Sequence, residues 1–222
     1  MRPAAVLAWA ALAPLGGAFY LPGIAPHDYK SNEAVGLQVN SLTPTLNADN
    51  KLESVLSLGH YDERFHFCRP NGGPKAVHES LGSILFGDRI YDSPFDLHML
   101  QNSACQVLCQ QTIPGKDAAF INDKIMKGYN FNWLIDGLPA ATIKIDDRTQ
   151  QQFYSVGFRL GSSLAGQLVP HFHNHYDITV QYHTLDSVHH RVVGVIVTPA
   201  SRHTVLPKDG AARCDAAEPM NL

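Results

Sequence analysis

The pattern of apolar and polar positions predicts a chain dominated by β-strands. Apolar and polar residues alternate over Val35–Asn40, Phe131–Ile135, Ala141–Ile145 and Asp177–Tyr182. Because successive side chains of a strand point to opposite faces, this alternation is typical of half-buried strands. The run Val192–Val197 is apolar throughout, which predicts a central strand that Pro199 ends, since proline cannot donate to the ladder.

The segments between these strands predict one hairpin and one or two short helices. Residues 136–139 read Asp-Gly-Leu-Pro, a turn that joins the strands Phe131–Ile135 and Ala141–Ile145 into a hairpin. Asp117 caps a predicted helix over Ala118–Lys127, which Gly128 ends, and a shorter helix is predicted over Ser80–Phe86. Strands and helices do not alternate regularly, so we predict a mainly β fold, an antiparallel β-sandwich-like domain with one or two short helices.

The first 18 residues have the layout of a signal peptide. Arg2 supplies the positive charge, Ala4–Leu15 the apolar region and residues 16–18 the small-residue exit. We therefore expect cleavage between Ala18 and Phe19, which leaves residues 19–222 as one domain on the non-cytosolic side. No later segment approaches the 18 consecutive apolar residues of a membrane span, so the transmembrane region is absent from these 222 residues.

The four cysteines all lie after the predicted cleavage site, where an oxidising compartment favours disulfides over metal binding. Four cysteines permit three pairings. A local bridge between Cys105 and Cys109 is one possibility, and Cys68 with Cys214 would then close most of the domain. The Cys-x3-Cys spacing is not a common zinc spacing and no second pair matches it, which argues against a zinc site.

Charge and motifs exclude several classes of function. The formal net charge is -3 and no basic run occurs, which argues against nucleic acid as a partner. Residues 157–161 read Gly-Phe-Arg-Leu-Gly and lack a nucleophile, and no phosphate-binding glycine loop is present. We identify no catalytic residue and predict that the protein is not an enzyme.

Histidines are concentrated between positions 171 and 190. His171, His173 and His175 are two residues apart, so a strand would direct three imidazoles to one face, and imidazole suits zinc or copper. The spacing is similar to the first motif of cupins, with Asp177 near the position of their acidic ligand; Pro199–His203 lacks the glycine of their second motif. The alternative is a solvated patch without metal, which gains positive charge as the pH falls below about 6.5.

Several short motifs, taken in order, resemble one family of membrane proteins. They are Phe19–Pro26 directly after the signal peptide, Phe67–Pro70, Glu79–Ile90, Asn132–Ala140, Gly157–Gly161, Asn174–Tyr176, Arg191–Val195, and the cysteines Cys105, Cys109 and Cys214. Together they are similar to the N-terminal domain of the nonaspanins, the transmembrane 9 superfamily or endomembrane protein 70 family. The segment Leu42–His66 does not match the family pattern.

The resemblance implies a lumenal domain that precedes nine membrane spans in Golgi and endosomal membranes. It implies a non-enzymatic role in sorting and trafficking of membrane proteins, with membrane-protein cargo and the chain's own transmembrane domain as partners, and no cofactor. If the protein ends at Leu222, we expect it to be secreted instead. The alternative functions are a secreted histidine-rich metal-binding module of cupin type, holding zinc or copper, and a pH-sensing interaction domain.

Overall fold

The computed structural model describes residues 26–47, 49–77, 89–146, 148–163, 170–204 and 217–219. The predicted signal peptide with its cleavage site, the predicted helix Ser80–Phe86 and Cys214 lie outside these ranges.

Strands dominate the described ranges, as predicted. In chain order they are β1 Asp28–Lys30, β2 Leu37–Val39, β3 Thr43–Pro44, β4 Tyr91–Asp92, β5 Tyr129–Phe131, β6 Trp133–Ile135, β7 Leu138–Pro139, β8 Ala141–Ile145, β9 Gln152–Val156, β10 Phe158–Arg159, β11 Gly161–Ser162, β12 His171–Phe172, β13 His175–Thr184, β14 His189–Ala200, β15 Arg202–Thr204 and β16 Ala217–Pro219. The described ranges add a helix, α1, at Gly115–Met126 and a 3-10 turn at Glu63–Phe65. The mainly β prediction is confirmed.

The strand β14 is the centre of the largest sheet. Along one edge it pairs antiparallel with β13. Along the other edge it pairs antiparallel with β1 near its start and parallel with β8 at Ile196. Its side chains Val192, Val195 and Val197 are buried, which confirms a central strand here. The prediction that Pro199 ends the strand is wrong, because the strand continues to Ala200. Beyond Ile196 no described strand pairs with the second edge, so the missing N–H of proline is tolerated there.

Two smaller sheets cover the core from the other side. Their orders are β4-β2-β6-β7 and β10-β5-β3, and all their pairings are antiparallel. The alternating residues Leu37 and Val39 of β2 face the core opposite Ile135 and Trp133 of β6, as the alternation predicts. Phe131 lies at the middle of an aromatic cluster, with ring centroids of five neighbours between 5.3 and 5.8 Å away.

The predicted hairpin around residues 136–139 is only partly correct. Asp136 and Gly137 make a tight turn with φ of 55° and 72°, and β6 pairs with β7 across it. The strand β8 does not continue this hairpin. At the buried Ala140, whose N–H donates to Trp133 O at 2.8 Å, the chain leaves this sheet and joins β14 and β9. The alternation over Ala141–Ile145 therefore identified a strand but not its partner.

The predicted main helix is confirmed, with a shift of its start. It begins three residues before Ala118 and ends at Met126, and its apolar side chains Ile121 and Ile125 are buried. Asp117 lies in the first turn instead of capping the helix. Its Oδ2 lies 2.8 Å from Nε2 of His66, within hydrogen-bonding distance. Gly128 follows the helix with φ of 72°, as a helix stop should.

The disulfide found in the structure contradicts both predicted pairings. Cys68 is bonded to Cys109, 41 residues later, with Cα atoms 5.7 Å apart. The local bridge between Cys105 and Cys109 is therefore wrong, and so is the bridge between Cys68 and Cys214. Cys105 is also disulfide-bonded. The rings of Phe65 and Phe67 are stacked 4.9 Å apart and pack in the core. They position Cys68 beside Cys109, which lies in the segment that leads to α1.

Candidate functional site

The histidine-rich segment 171–175 lies where three parts of the fold meet. His171 belongs to β12 and pairs with Ser162 of β11, while His175 begins β13. Between them, the backbone N–H of His173 donates to Leu160 O at 3.1 Å, and that of Asn174 donates to Ala200 O at 3.1 Å. The segment is thus fixed by backbone hydrogen bonds and is not the irregular loop that a solvated patch would suggest.

The side chain of Asn174 holds the start of β15 in place. Its amide nitrogen donates to Arg202 O, and its amide oxygen accepts from the Arg202 N–H, both at 2.8 Å. The two hydrogen bonds satisfy the backbone N–H and C=O of Arg202, as a neighbouring strand would. Asn174 therefore has a structural role at the point where the chain leaves the end of β14.

His173 is kept neutral by its surroundings. The Ser201 hydroxyl donates to Phe172 O at 2.8 Å, which leaves its oxygen to accept from Nδ1–H of His173 at 3.1 Å. Burial, together with the nearby charge of His171, lowers the pKa of His173 to about 4. His173 therefore does not become charged near pH 6.5, where a histidine of a solvated patch would.

The three predicted metal ligands are not brought together as a metal site. Nδ1 of His173 is engaged with Ser201, and Nε2 of His175 lies 3.3 Å from a carboxylate oxygen of Asp177. The second oxygen of Asp177 faces Arg202 at 4.0 Å. Across the described ranges, no group of three His, Cys, Asp or Glu side chains is placed to hold a metal ion. The geometry therefore does not support a zinc or copper site at these positions.

Histidines paired with carboxylates recur over the described surface. Besides His175 with Asp177, the pairs are His27 with Glu33 at 2.7 Å, His66 with Asp117 at 2.8 Å, His98 with Asp96 at 3.5 Å and His189 with Asp186 at 2.9 Å. The hydrogen bond from His189, followed by the backbone N–H groups of Val188 and His189, lowers the pKa of Asp186 to about 2.

One histidine that the sequence did not single out is the most deeply buried of the histidines whose burial the structure describes. His60 is 5% exposed and lies between the rings of Tyr61, Phe67 and Phe131, with centroids 4.9 to 5.7 Å away. Its Nδ1 has no hydrogen-bond partner among the described residues. Burial lowers the pKa of His60 to about 3. Nothing in the local sequence distinguishes this histidine from an exposed one.

The hairpin formed by β8 and β9 carries an exposed apolar surface. The register pairs Ile143 with Tyr154 and Ala141 with Val156, so these residues and Ile145 share one face. The exposed fractions of Ile143, Ile145, Tyr154 and Val156 are 44%, 55%, 65% and 63%. We call these four residues the apolar hairpin face. The alternation in the sequence predicts a strand here but cannot show that its apolar side is left uncovered.

The relatives of the chain agree with the motifs identified in the sequence. A sequence model of the family described as Endomembrane protein 70 matches residues 58–221. The chain belongs to this family. It is 42% identical to Transmembrane 9 superfamily member 1 of Saccharomyces cerevisiae, over 83% of this chain and 34% of that protein. It is 41% identical to Transmembrane 9 superfamily protein C1105.08 of Schizosaccharomyces pombe, over 90% and 31%.

The likeness extends to animals, and it covers only part of each relative. Transmembrane 9 superfamily member 2 of Rattus norvegicus is 29% identical over 87% of this chain and 32% of its own length. The chain thus spans about a third of the length of the curated relatives it matches. No solved structure matches it. In the part of the chain that the structure describes, none of the helices has the length and apolar character that crossing a membrane requires.

Proposed function

We propose that this chain is the non-enzymatic lumenal domain of a transmembrane-nine-type protein that takes part in sorting membrane proteins between the Golgi and endosomes. The observation that carries the proposal is family membership over most of the chain, with 42% identity to a transmembrane 9 superfamily member. The partners are the lumenal parts of other membrane proteins. The side chains of His173 and Asn174 in the histidine segment make structural contacts.

The disulfide supports the lumenal side of the membrane. Cys68 and Cys109 are bonded and Cys105 also takes part in a disulfide. Disulfides persist in the secretory pathway and are reduced in the cytosol. A domain that relies on them folds on the lumenal side, which agrees with the signal peptide predicted over residues 1–18.

The sorting role is tested by measuring which membrane proteins are present at the surface of cells that lack the gene. We expect a defined set of membrane proteins to fall at the cell surface while their total amounts stay the same, measured by surface biotinylation and quantitative mass spectrometry. Re-expression of the gene should restore them. An unchanged surface content, with the protein absent, would contradict the sorting role.

A second candidate function, pH-sensitive binding, is favoured by His60. A buried histidine that stays neutral in the fold weakens the domain as the pH falls, and endosomes acidify. Under this proposal the domain binds its cargo near pH 7 and releases it near pH 5. A cargo protein identified by the surface comparison should bind the domain with lower affinity at pH 5, and equal affinity at both pH values would contradict this candidate.

A further inference from the structure

The apolar hairpin face is too exposed to be an ordinary surface strand pair. The four side chains Ile143, Ile145, Tyr154 and Val156 are contiguous across two paired strands. Together they expose a patch that approaches the few hundred Å2 typical of the largest apolar patch on a monomer, and such patches are often binding surfaces.

The two strands of the hairpin are joined at this end by hydrogen bonds of Asp146 to described residues beyond position 147. Oδ1 of Asp146 accepts hydrogen bonds from the backbone N–H groups of Arg148 and Thr149 and from the Thr149 hydroxyl, at 2.7 to 3.0 Å. These bonds lower the pKa of Asp146 below its ordinary value. Asp146 N also donates to Gln151 O at 2.9 Å across the turn. The apolar hairpin face is therefore formed by paired strands before any partner docks.

The topology places the hairpin tip at the end of the sheet where the described chain ends. The parallel pairing of Ile196 with Ala141 means that β8 runs toward its tip in the same direction as β14 runs toward Ala200. β16 returns antiparallel to β15, with Pro219 opposite Arg202, two residues after Ala200. The last described residue and the hairpin tip therefore lie toward the same end of the large sheet.

Charge and area decide between the possible occupants of the face. Residues 141–156 contain two basic and two acidic side chains and the whole chain has a net charge of -3, so nothing attracts anionic lipid headgroups. A few hundred Å2 on each partner falls short of the roughly 1,200 Å2 that a stable complex between separate molecules buries. A segment tethered to the same polypeptide needs far less area, because tethering gives an effective concentration in the millimolar range.

From these observations we infer that the apolar hairpin face docks on the membrane-anchored remainder of the same polypeptide, the two thirds of the relatives' length that this chain does not cover. The inference rests on the proposed function in one respect, that the domain is joined to such a remainder. The hairpin then fixes the domain against the protein surface at the membrane and leaves the rest of the domain for cargo.

Site-specific photo-cross-linking of the whole gene product in membranes tests the inference. Tyr154 is replaced by a benzophenone amino acid, and a protease site is placed directly after Leu222. The matched control carries the same group at Val55, which is 81% exposed outside the hairpin. After irradiation and cleavage, we expect the domain to stay attached to the membrane-embedded fragment when the probe is at 154 and to separate from it when the probe is at 55.

A second variant guards against non-specific capture. Replacing Ile143→Thr and Val156→Thr keeps residues that suit strands but removes two of the four apolar side chains of the face, the two that flank position 154 across and along the strands. We expect loss of most of the cross-link from position 154 and an unchanged thermal midpoint, because these side chains are largely exposed. Cross-linking to a second copy, to lipid or to nothing, in a membrane-anchored protein, would overturn the inference and leave the proposed function standing. A gene product without a membrane fragment would overturn both.

Discussion

His60 gives the domain a pH-dependent stability that can be worked out from its surroundings. The ring is 5% exposed among aromatic side chains, and no carboxylate of the described residues stabilises a charge on it. Burial alone lowers the pKa of His60 to about 3, whereas an unfolded chain binds the proton near pH 6.5. Below pH 6.5 the unfolded state therefore takes up a proton that the folded state does not.

The loss of stability follows from this difference in proton binding. The contribution of His60 is complete above pH 6.5 and is lost progressively as the pH falls from 6.5 toward 3. Each pH unit within this window costs about 1.4 kcal/mol. Integrated from pH 7 to pH 5, the free energy of unfolding falls by about 2 kcal/mol on account of this residue alone.

Urea unfolding at pH 7 and pH 5 measures the effect, with the fluorescence of the buried Trp133 as the signal. Replacing His60→Phe should reduce the loss of stability between the two pH values by about 2 kcal/mol. Absolute changes caused by repacking cancel, because each variant is compared with itself. His183→Phe, at an exposed position of β13, is the matched control and should leave the pH dependence as it is. The same pH dependence in His60→Phe and in the unaltered chain would refute the reasoning.

Three further perturbations test the fold and the histidine segment. Replacing Cys68 and Cys109 by alanine opens a closure of 41 residues and should lower the free energy of unfolding by about 4 kcal/mol, seen as a lower urea midpoint; an unchanged midpoint would contradict the bond's role. Asn174→Ala should cost about 1–3 kcal/mol and speed amide hydrogen exchange in β15, because it leaves two backbone groups without their partner; unaltered exchange would argue against the clamp. Gly157→Ala should cost about 1–3 kcal/mol in thermal unfolding, because φ is 73° and a Cβ would lie 2.9 Å from a backbone oxygen, whereas Gly36→Ala meets nothing within 4 Å; equal effects of the two would be inconsistent with this geometry.

Local sequence patterns predicted many of the strands and the end of the main helix. The alternation in β2 and β6, the apolar run in β14 and the stop at Gly128 were all visible in the sequence and occur in the structure. The pairing of the strands was harder to predict, because alternation identifies a half-buried strand but not the strand beside it. The strand β8 is the example: its residues read correctly as a strand, yet Ala140 diverts it into another sheet.

The site was harder to predict because its chemistry depends on burial and distant contacts. The spacing of His171, His173 and His175 suggested a shared face, but His173 is engaged by Ser201, a residue 28 positions away. The deep burial of His60 arises from residues far along the chain, among them Phe131. The motifs that resemble the transmembrane 9 superfamily, in contrast, needed no structure, and the family match over residues 58–221 agrees with them.

The most direct test of a lumenal domain on an endomembrane protein is protease protection of the endogenous gene product. An antibody raised against residues 26–146 is used on sealed Golgi and endosomal vesicles, with and without detergent. We predict a species about three times the length of this chain, in keeping with its relatives, that resists carbonate extraction and is digested only after detergent opens the vesicles. A species that carbonate releases, or a domain digested in intact vesicles, would contradict the account.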